Sequence, residues 1–185
     1  MSSARQFFPV IDSLAAVTIA AAPQWYAVQT RGRHEKKVAN KLAERGIDTY
    51  LPALREVHRW SDRNKVVEVP LFPCYTFVRV AADSSARLRI LQTDGVVRIV
   101  GNGCELCPID DRQINDIRTL LGTKVPVTMY PFLKVGQRIR VRSGCLNGME
   151  GILVSRPKES TLVISIDAIQ RAIAINVDGY QIEAI

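Results

Sequence analysis

The sequence predicts an α+β protein of two units: an α/β sandwich on an antiparallel sheet, then a small β-barrel. Three observations carry this. Between residues 25 and 122 the chain reads strand, helix, hairpin, helix, strand, helix, an order that lays helices over an antiparallel sheet. Within residues 132–154, Ile139 and Val141 alternate with Arg138, Arg140 and Arg142, the pattern of a half-buried strand with cations on its outer face. Gly144, Gly148 and Gly151 follow at short spacing, where a backbone turning between strands needs positive φ or close approach, and apolar alternation returns at Ile152 and Val154.

Residues 1–24, with Pro9 and a Ser-rich start, are expected to be a disordered leader. Their apolar stretch, 14–22, is mostly alanine, is broken by Thr18 and runs about half the length of a spanning helix. Only Arg5 precedes it as a cation, so a signal peptide is the weaker reading. Residues 25–30 form a strand, and 33–45 a helix with Val38 and Leu42 on its inner face, closed by Gly46 and Ile47. Residues 48–60 and 65–80 read as two strands of a long hairpin around a polar turn at 61–64, with Arg55, Arg59, Arg63 and Lys65 near its tip. A short helix covers 84–93, Asp94-Gly95 turns into a strand at 96–100, and Asp110 caps a helix carrying Gln113 at the capping-box position and Ile114, Ile117 and Leu121 inside, ended by Gly122. Residues 123–131 hold two prolines and no clear period and read as a linker. The C-terminal unit, 132–185, is small for independent stability, and a closed barrel would leave it no unpaired edge. Its later part, 161–177, is rich in Ile and Val, including Val163, Ile173, Ile175 and Val177, which favours strands over helices.

The 185 residues, 47% hydrophobic with a mean hydropathy of +0.03, suit a globular chain of one large or two small domains. The net charge of +7 favours a polyanionic partner, and its placement is uneven. Residues 25–65 hold ten Lys and Arg against five Asp and Glu, whereas 83–122 is near neutral. Four cysteines, Cys74, Cys104, Cys107 and Cys145, are scattered. Cys104 and Cys107 have zinc-knuckle spacing, yet no second pair of ligands lies beside them, so free thiols in a reducing cytoplasm are expected, with no metal and no cofactor. The two histidines lie far apart, and neither a Gly-rich phosphate loop nor a nucleophile elbow is present, so no enzyme is expected.

Two runs make the pattern specific: Trp25-Tyr26-Ala27-Val28-Gln29-Thr30, and Pro70-Leu71-Phe72-Pro73-Cys74-Tyr75-Thr76-Phe77-Val78. Followed by the glycine-bearing segment at 132–154, in that order, they resemble the NusG family of transcription elongation factors, whose C-terminal unit is a KOW module. The resemblance covers 25–185. It implies the NusG N-terminal α/β sandwich, a KOW β-barrel, and a factor that binds the clamp of RNA polymerase and suppresses pausing or termination. By its motif, Phe72, Tyr75 and Phe77, supported by Trp25 and Tyr26, are the positions that grip the clamp coiled coil. Read from the residues alone, aromatics on a strand are sheet core. Cys74 stands where housekeeping members carry glycine, which resembles the specialised paralogues typified by RfaH. Their register gives Arg31, Arg33, Lys37 and Lys41 as contacts to the non-template DNA strand, against the plainer reading of a solvated helix face.

The His-Thr-Thr patch that RfaH uses on the opposite side of the polymerase cleft falls on Ala86-Arg87-Leu88, a departure that withholds that second polymerase contact. The Phe-Gly-Arg loop that meets Rho or a small-subunit ribosomal protein falls on Ile169-Gln170-Arg171, where only the arginine survives, so Rho recruitment does not carry over. Ile169 and Arg171 remain candidates for a KOW partner. RfaH also implies a C-terminal unit able to fold as a helical hairpin; the β-branched content here predicts the barrel instead. A monomeric cytoplasmic factor with no membrane contact is expected, and the competing reading is a ribosome-associated or RNA-binding KOW protein without polymerase contact.

Overall fold

A computed structural model describes residues 22–59, 64–81, 83–102, 105–123, 125–130, 136–156 and 159–185. Most of the expected leader, the tip of the hairpin including Arg63, Cys104, and 131–135 lie outside the described residues. The N-terminal unit runs β1 (Gln24–Thr30), α1 (Glu35–Glu44), β2 (Asp48–Tyr50), β3 (Ala53–Arg59), β4 (Asn64–Pro70), β5 (Tyr75–Val80), α2 (Ser84–Leu91), β6 (Val96–Ile99), β7 (Gly101–Asn102), β8 (Glu105–Leu106), β9 (Pro108–Ile109) and α3 (Asp111–Gly122). The C-terminal unit runs β10 (Val127–Tyr130), β11 (Gln137–Val141), β12 (Glu150–Arg156), β13 (Glu159–Ile166), β14 (Arg171–Asn176) and β15 (Ile182–Ala184). Short 3-10 turns occupy Gly144–Leu146 and Asp167–Ile169. No helix among the described residues is long and apolar enough to cross a membrane.

The first sheet has the order β2-β5-β1-β6, entirely antiparallel, with β9 also paired to β1. The alternation of β1 separates its side chains cleanly. Tyr26 and Val28 face α1 and α2 and pack with Val38, Leu42, Val78 and Ile90; Trp25 and Ala27 face α3 and pack with Phe77, Ile114, Ile117 and Leu120. The sheet is thus covered on both faces, as the predicted sandwich requires. α1 starts two residues later than the pattern suggests, because Arg33 takes a left-handed conformation (φ 64°) ahead of it. It closes as expected: Gly46 sits at φ 74°, its N–H donates to the Ala43 carbonyl, and the Ile47 N–H reaches back to Leu42. Asp110 caps α3 by accepting the Arg112 N–H at 2.8 Å.

The long hairpin does not run as two unbroken strands. Asp48–Tyr50 joins the main sheet through β5, whereas β3 and β4 leave it as a separate two-stranded ribbon. Pro52 is the reason on one side, since it has no N–H to continue a ladder, and its carbonyl instead accepts the Leu71 N–H. On the other side, the turn through Phe72 and Cys74, with Cys74 at φ 68°, interrupts β4 and β5.

The C-terminal unit is a six-stranded antiparallel sheet of order β10-β14-β13-β12-β11-β15. Gly144 and Gly148 take positive φ, and at Gly151 a Cβ would come within 2.5 Å of the Val163 carbonyl oxygen, so the three glycines serve as expected. The stretch 161–177 is strand and 3-10 turn, not helix. One expectation is corrected. The reading of 123–131 as linker fails at Val127–Tyr130, which pair with β14 from Val127↔Ile175 to Tyr130↔Ala172 because β14 otherwise offers an unpaired edge. Among the described residues no pairing joins β10 to β15. Buried side chains of the two units form one continuous cluster, with α3 against β13 and β9 against the Asp167–Ile169 turn.

Candidate protein and nucleic-acid interfaces

Four of the five predicted polymerase-binding aromatics are core. Trp25, Tyr26, Phe72 and Phe77 are at most 3% exposed, which corrects the expectation of an open aromatic pocket. The cause is α3, whose Ile114, Ile117 and Leu120 lie on the sheet face carrying Trp25 and Phe77. Tyr26 is also on the wrong face, beneath α1, where burial raises its phenol above the ordinary value and its hydroxyl donates to Gln24 Oε1 at 3.2 Å. The cluster on the α3 face is nevertheless continuous. Phe72 meets Phe77 edge-on at 6.0 Å, Phe77 lies 6.5 Å from Tyr50, and Tyr50 meets Trp25 edge-on at 6.4 Å. It reaches solvent through half-buried Tyr50 and Tyr75.

Tyr50 and Arg118 complete this site, and neither was foreseen. The Arg118 guanidinium sits 4.9 Å from the Trp25 ring centroid and 4.7 Å from that of Tyr50. Burial pushes the Tyr50 phenol up to about 12, against the opposing pull of Arg118. The spacing of Arg118, four residues after Ile114 and three before Leu121, sets it beside the buried stripe of the helix but does not point to the rings it covers. Beside the pair a shallow depression of ≈ 410 Å³ is lined by Tyr50, Leu51, Pro52, Ala53, Leu121 and the charged groups of Arg55, Glu68 and Arg118.

The Phe72–Cys74 turn that carries Tyr75 is held from below. Glu35, 5% exposed, accepts the Cys74 N–H at 2.8 Å, and the Cys74 carbonyl accepts the Thr30 N–H at 2.8 Å. This ties the start of β5 to α1 and to the end of β1.

The predicted nucleic-acid residues gather around the Asp94-Gly95 turn. Lys37 and Lys41 both donate to Asp94, at 3.0 and 3.3 Å, and the Arg31 N–H donates to the Gly95 carbonyl. Those hydrogen bonds hold the Asp94 carboxyl below its ordinary range, Lys37 contributing first and Lys41 second. Arg31 and Arg33 are exposed. Lys36 is committed elsewhere, to Glu68 on β4 at 3.2 Å. The basic face is therefore partly neutralised by its own domain.

In the C-terminal unit, Ile169 is 7% exposed and belongs to the core, which removes it as a partner contact; the 3-10 turn drives it inward just before Gln170 turns left-handed (φ 49°). Arg171 is exposed at the start of β14. Arg140 on β11 pairs with Glu150, and Arg142, just past the strand, pairs with Glu183. Where the units meet, a cleft of ≈ 970 Å³ is lined by Asp110, Arg112 and Asp116 from one side and Arg138, Glu150 and Asp167 from the other. Burial there pushes the Asp116 carboxyl up to about 6, opposed by the Glu150 backbone N–H; the Glu150 carboxylate adds to the rise, Arg112 lowers it, and Asp110 raises it again. Among the described residues, no group of three or more His, Cys, Asp or Glu side chains is arranged to hold a metal.

Comparison with known proteins adds four findings. The family model described as "Transcription termination factor nusG" matches residues 23–118, more than half of the chain. The transcription termination/antitermination protein NusG of Lactococcus lactis is 27% identical over 173 residues, covering 87% of this chain and 92% of that protein. The protein of the same name from Borreliella burgdorferi is 24% identical over 181 residues, covering 87% and 98%. Among solved structures, one titled "Domain interaction in Thermotoga maritima NusG" matches with a TM-score of 0.53 and 23% identity, covering 88% of this chain and 97% of that one, a likeness of fold.

Proposed function

The chain belongs to the NusG family of transcription factors, and from that premise we propose that it binds the clamp coiled coil of RNA polymerase and suppresses pausing or termination. The observation that carries this is the continuous aromatic cluster Phe72–Phe77–Tyr50–Trp25, buried beneath α3 but reaching the surface at Tyr50 and Tyr75. Half-exposed aromatics on a rigid sheet supply contact area at little cost in side-chain entropy. Phe72, Phe77 and Trp25 then act as the floor that fixes the two tyrosines. The proposed mechanism is mechanical. A ligand with higher affinity for the closed clamp than for the paused, opened one lowers the population of the paused state, with no bond made or broken. Arg31, Arg33, Lys37 and Lys41 supply the surface for the non-template strand, and Arg171 for a KOW partner. Cys74 in the glycine position supports a specialised rather than housekeeping member.

The test is binding of the full chain and of Tyr75→Ala to core polymerase. Tyr75 is the informative residue because truncating fully buried Phe77 costs about 3–5 kcal/mol of stability and confounds the readout. Tyr75→Ala is expected to stay folded and to weaken binding by about 2 kcal/mol. Recovery of ribosomal RNA and no core polymerase by the wild-type chain would replace this reading with that of a ribosome-associated protein.

A further inference from the structure

We propose that Arg118 is the charged anchor of the polymerase-facing surface and pairs with a carboxylate on an otherwise apolar protein segment that fills the depression beside Tyr50. This rests on the polymerase reading above and names the chemistry of the partner. Arg118 is exposed, yet its guanidinium lies over the Trp25 and Tyr50 rings at 4.9 and 4.7 Å. Among the described residues no carboxylate forms an ion pair with it. Most other placed cations nearby are spent: Arg79 meets Asp111 at 3.6 Å, and Arg55 meets Glu68 at 3.7 Å. A cation–π contact uses no hydrogen-bond acceptor, so the N–H donors of the guanidinium stay available in the fork that matches a carboxylate. The rings also fix the long side chain in advance, so little rotamer freedom is lost on binding.

The walls decide the rest of the partner. Leu51, Pro52, Ala53 and Leu121 are apolar, and Glu68 stands in the lining. A phosphate backbone would gain nothing from the apolar floor, whereas an apolar segment carrying one Asp or Glu gains from the floor and from Arg118, and Glu68 is already paired with Lys36 and Arg55. Among the described residues the depression is lined by the N-terminal unit alone, whereas the interdomain cleft draws on Asp110, Arg112, Gln113 and Asp116 nearer the start of α3.

The experiment measures affinity of the full-length chain, Arg118→Gln and Arg118→Lys for core RNA polymerase at two salt concentrations, with single-stranded DNA as a second probe and circular dichroism as a folding control. Arg118→Gln is expected to weaken polymerase binding at least tenfold and to flatten its salt dependence. Arg118→Lys keeps the charge but not the planar fork and is expected to recover only part of the loss. DNA binding should not change. If the wild type binds and Arg118→Gln binds equally, or if only DNA binding falls, the anchor is wrong while the polymerase reading stands. If Arg118→Gln unfolds, an Arg118→Lys protein that folds and binds like the wild type likewise overturns it. If the wild type does not bind polymerase, the functional reading fails and the anchor with it.

Discussion

Cys74 occupies a left-handed backbone position, φ 68°, at the turn that delivers Tyr75 into β5. For a residue with a Cβ that conformation costs about 1–2 kcal/mol, and glycine avoids it while gaining roughly 0.4–1 kcal/mol of freedom in the unfolded chain. Cys74→Gly is therefore expected to raise unfolding stability by up to about 1 kcal/mol with an unchanged denaturant slope, as read by urea denaturation. A loss of stability would mean that the thiol packs more favourably than its backbone suffers. The native turn tolerates cysteine because the N–H and the carbonyl of the same residue are both claimed, by Glu35 and by Thr30.

At the scale of elements, α1 and the Asp94-Gly95 turn form one electrostatic unit. Replacing Asp94 by Asn leaves Lys37 and Lys41 without their carboxylate, so single-stranded DNA should bind more tightly and with a steeper salt dependence, because more phosphate contacts release counterions. An unchanged slope would remove this face from nucleic-acid contact. Since the lysines hold the Asp94 carboxyl below its ordinary range, the pairing persists at neutral and mildly acidic pH and is lost only as pH falls below that range. Much of this level was legible in the sequence. The period-two alternation of β1, the Val38–Leu42 stripe of α1 and the glycine closing it each follow from local chemistry, and each is present. The break at Pro52 was equally written in the chain but masked by the strand-like residues around it. What could not be read was which side of the sheet α3 would cover. That choice is made by tertiary packing of Ile114, Ile117 and Leu120, and it turns Trp25 and Phe77 from an expected surface into a floor. Arg118 escaped for the opposite reason: charge on a helix reads as a solvated face until the rings beneath it are placed.

For the whole molecule, the contact between the two units carries its own proton. Asp116 holds a proton more tightly docked, with its carboxyl pushed up to about 6, than when exposed near the ordinary 3.8. Docking is therefore favoured most below the ordinary value and loses that contribution as pH rises through about 6. Fluorophores placed one on each unit should show the separated population growing across that interval in the wild type. Asp116→Asn, which carries no titratable group, should show no such step. A pH-independent distance in the wild type would mean that Asp116 stays solvated in solution. The apolar contacts of α3 with β13 persist at every pH, so the proton tunes this equilibrium and does not create it.

The strand β10 sets how far such a separation can go. With Val127–Tyr130 zipped to β14, only residues 123–126 span the gap from the end of α3, a leash of about 14 Å at full stretch. A partner of the C-terminal unit must then sit almost in the shadow of whatever the N-terminal unit grips. Unzipping these four residues would lengthen the leash to the start of β11, to roughly 50 Å, at the expense of one edge ladder. The working radius of the molecule is thus governed by a single short strand.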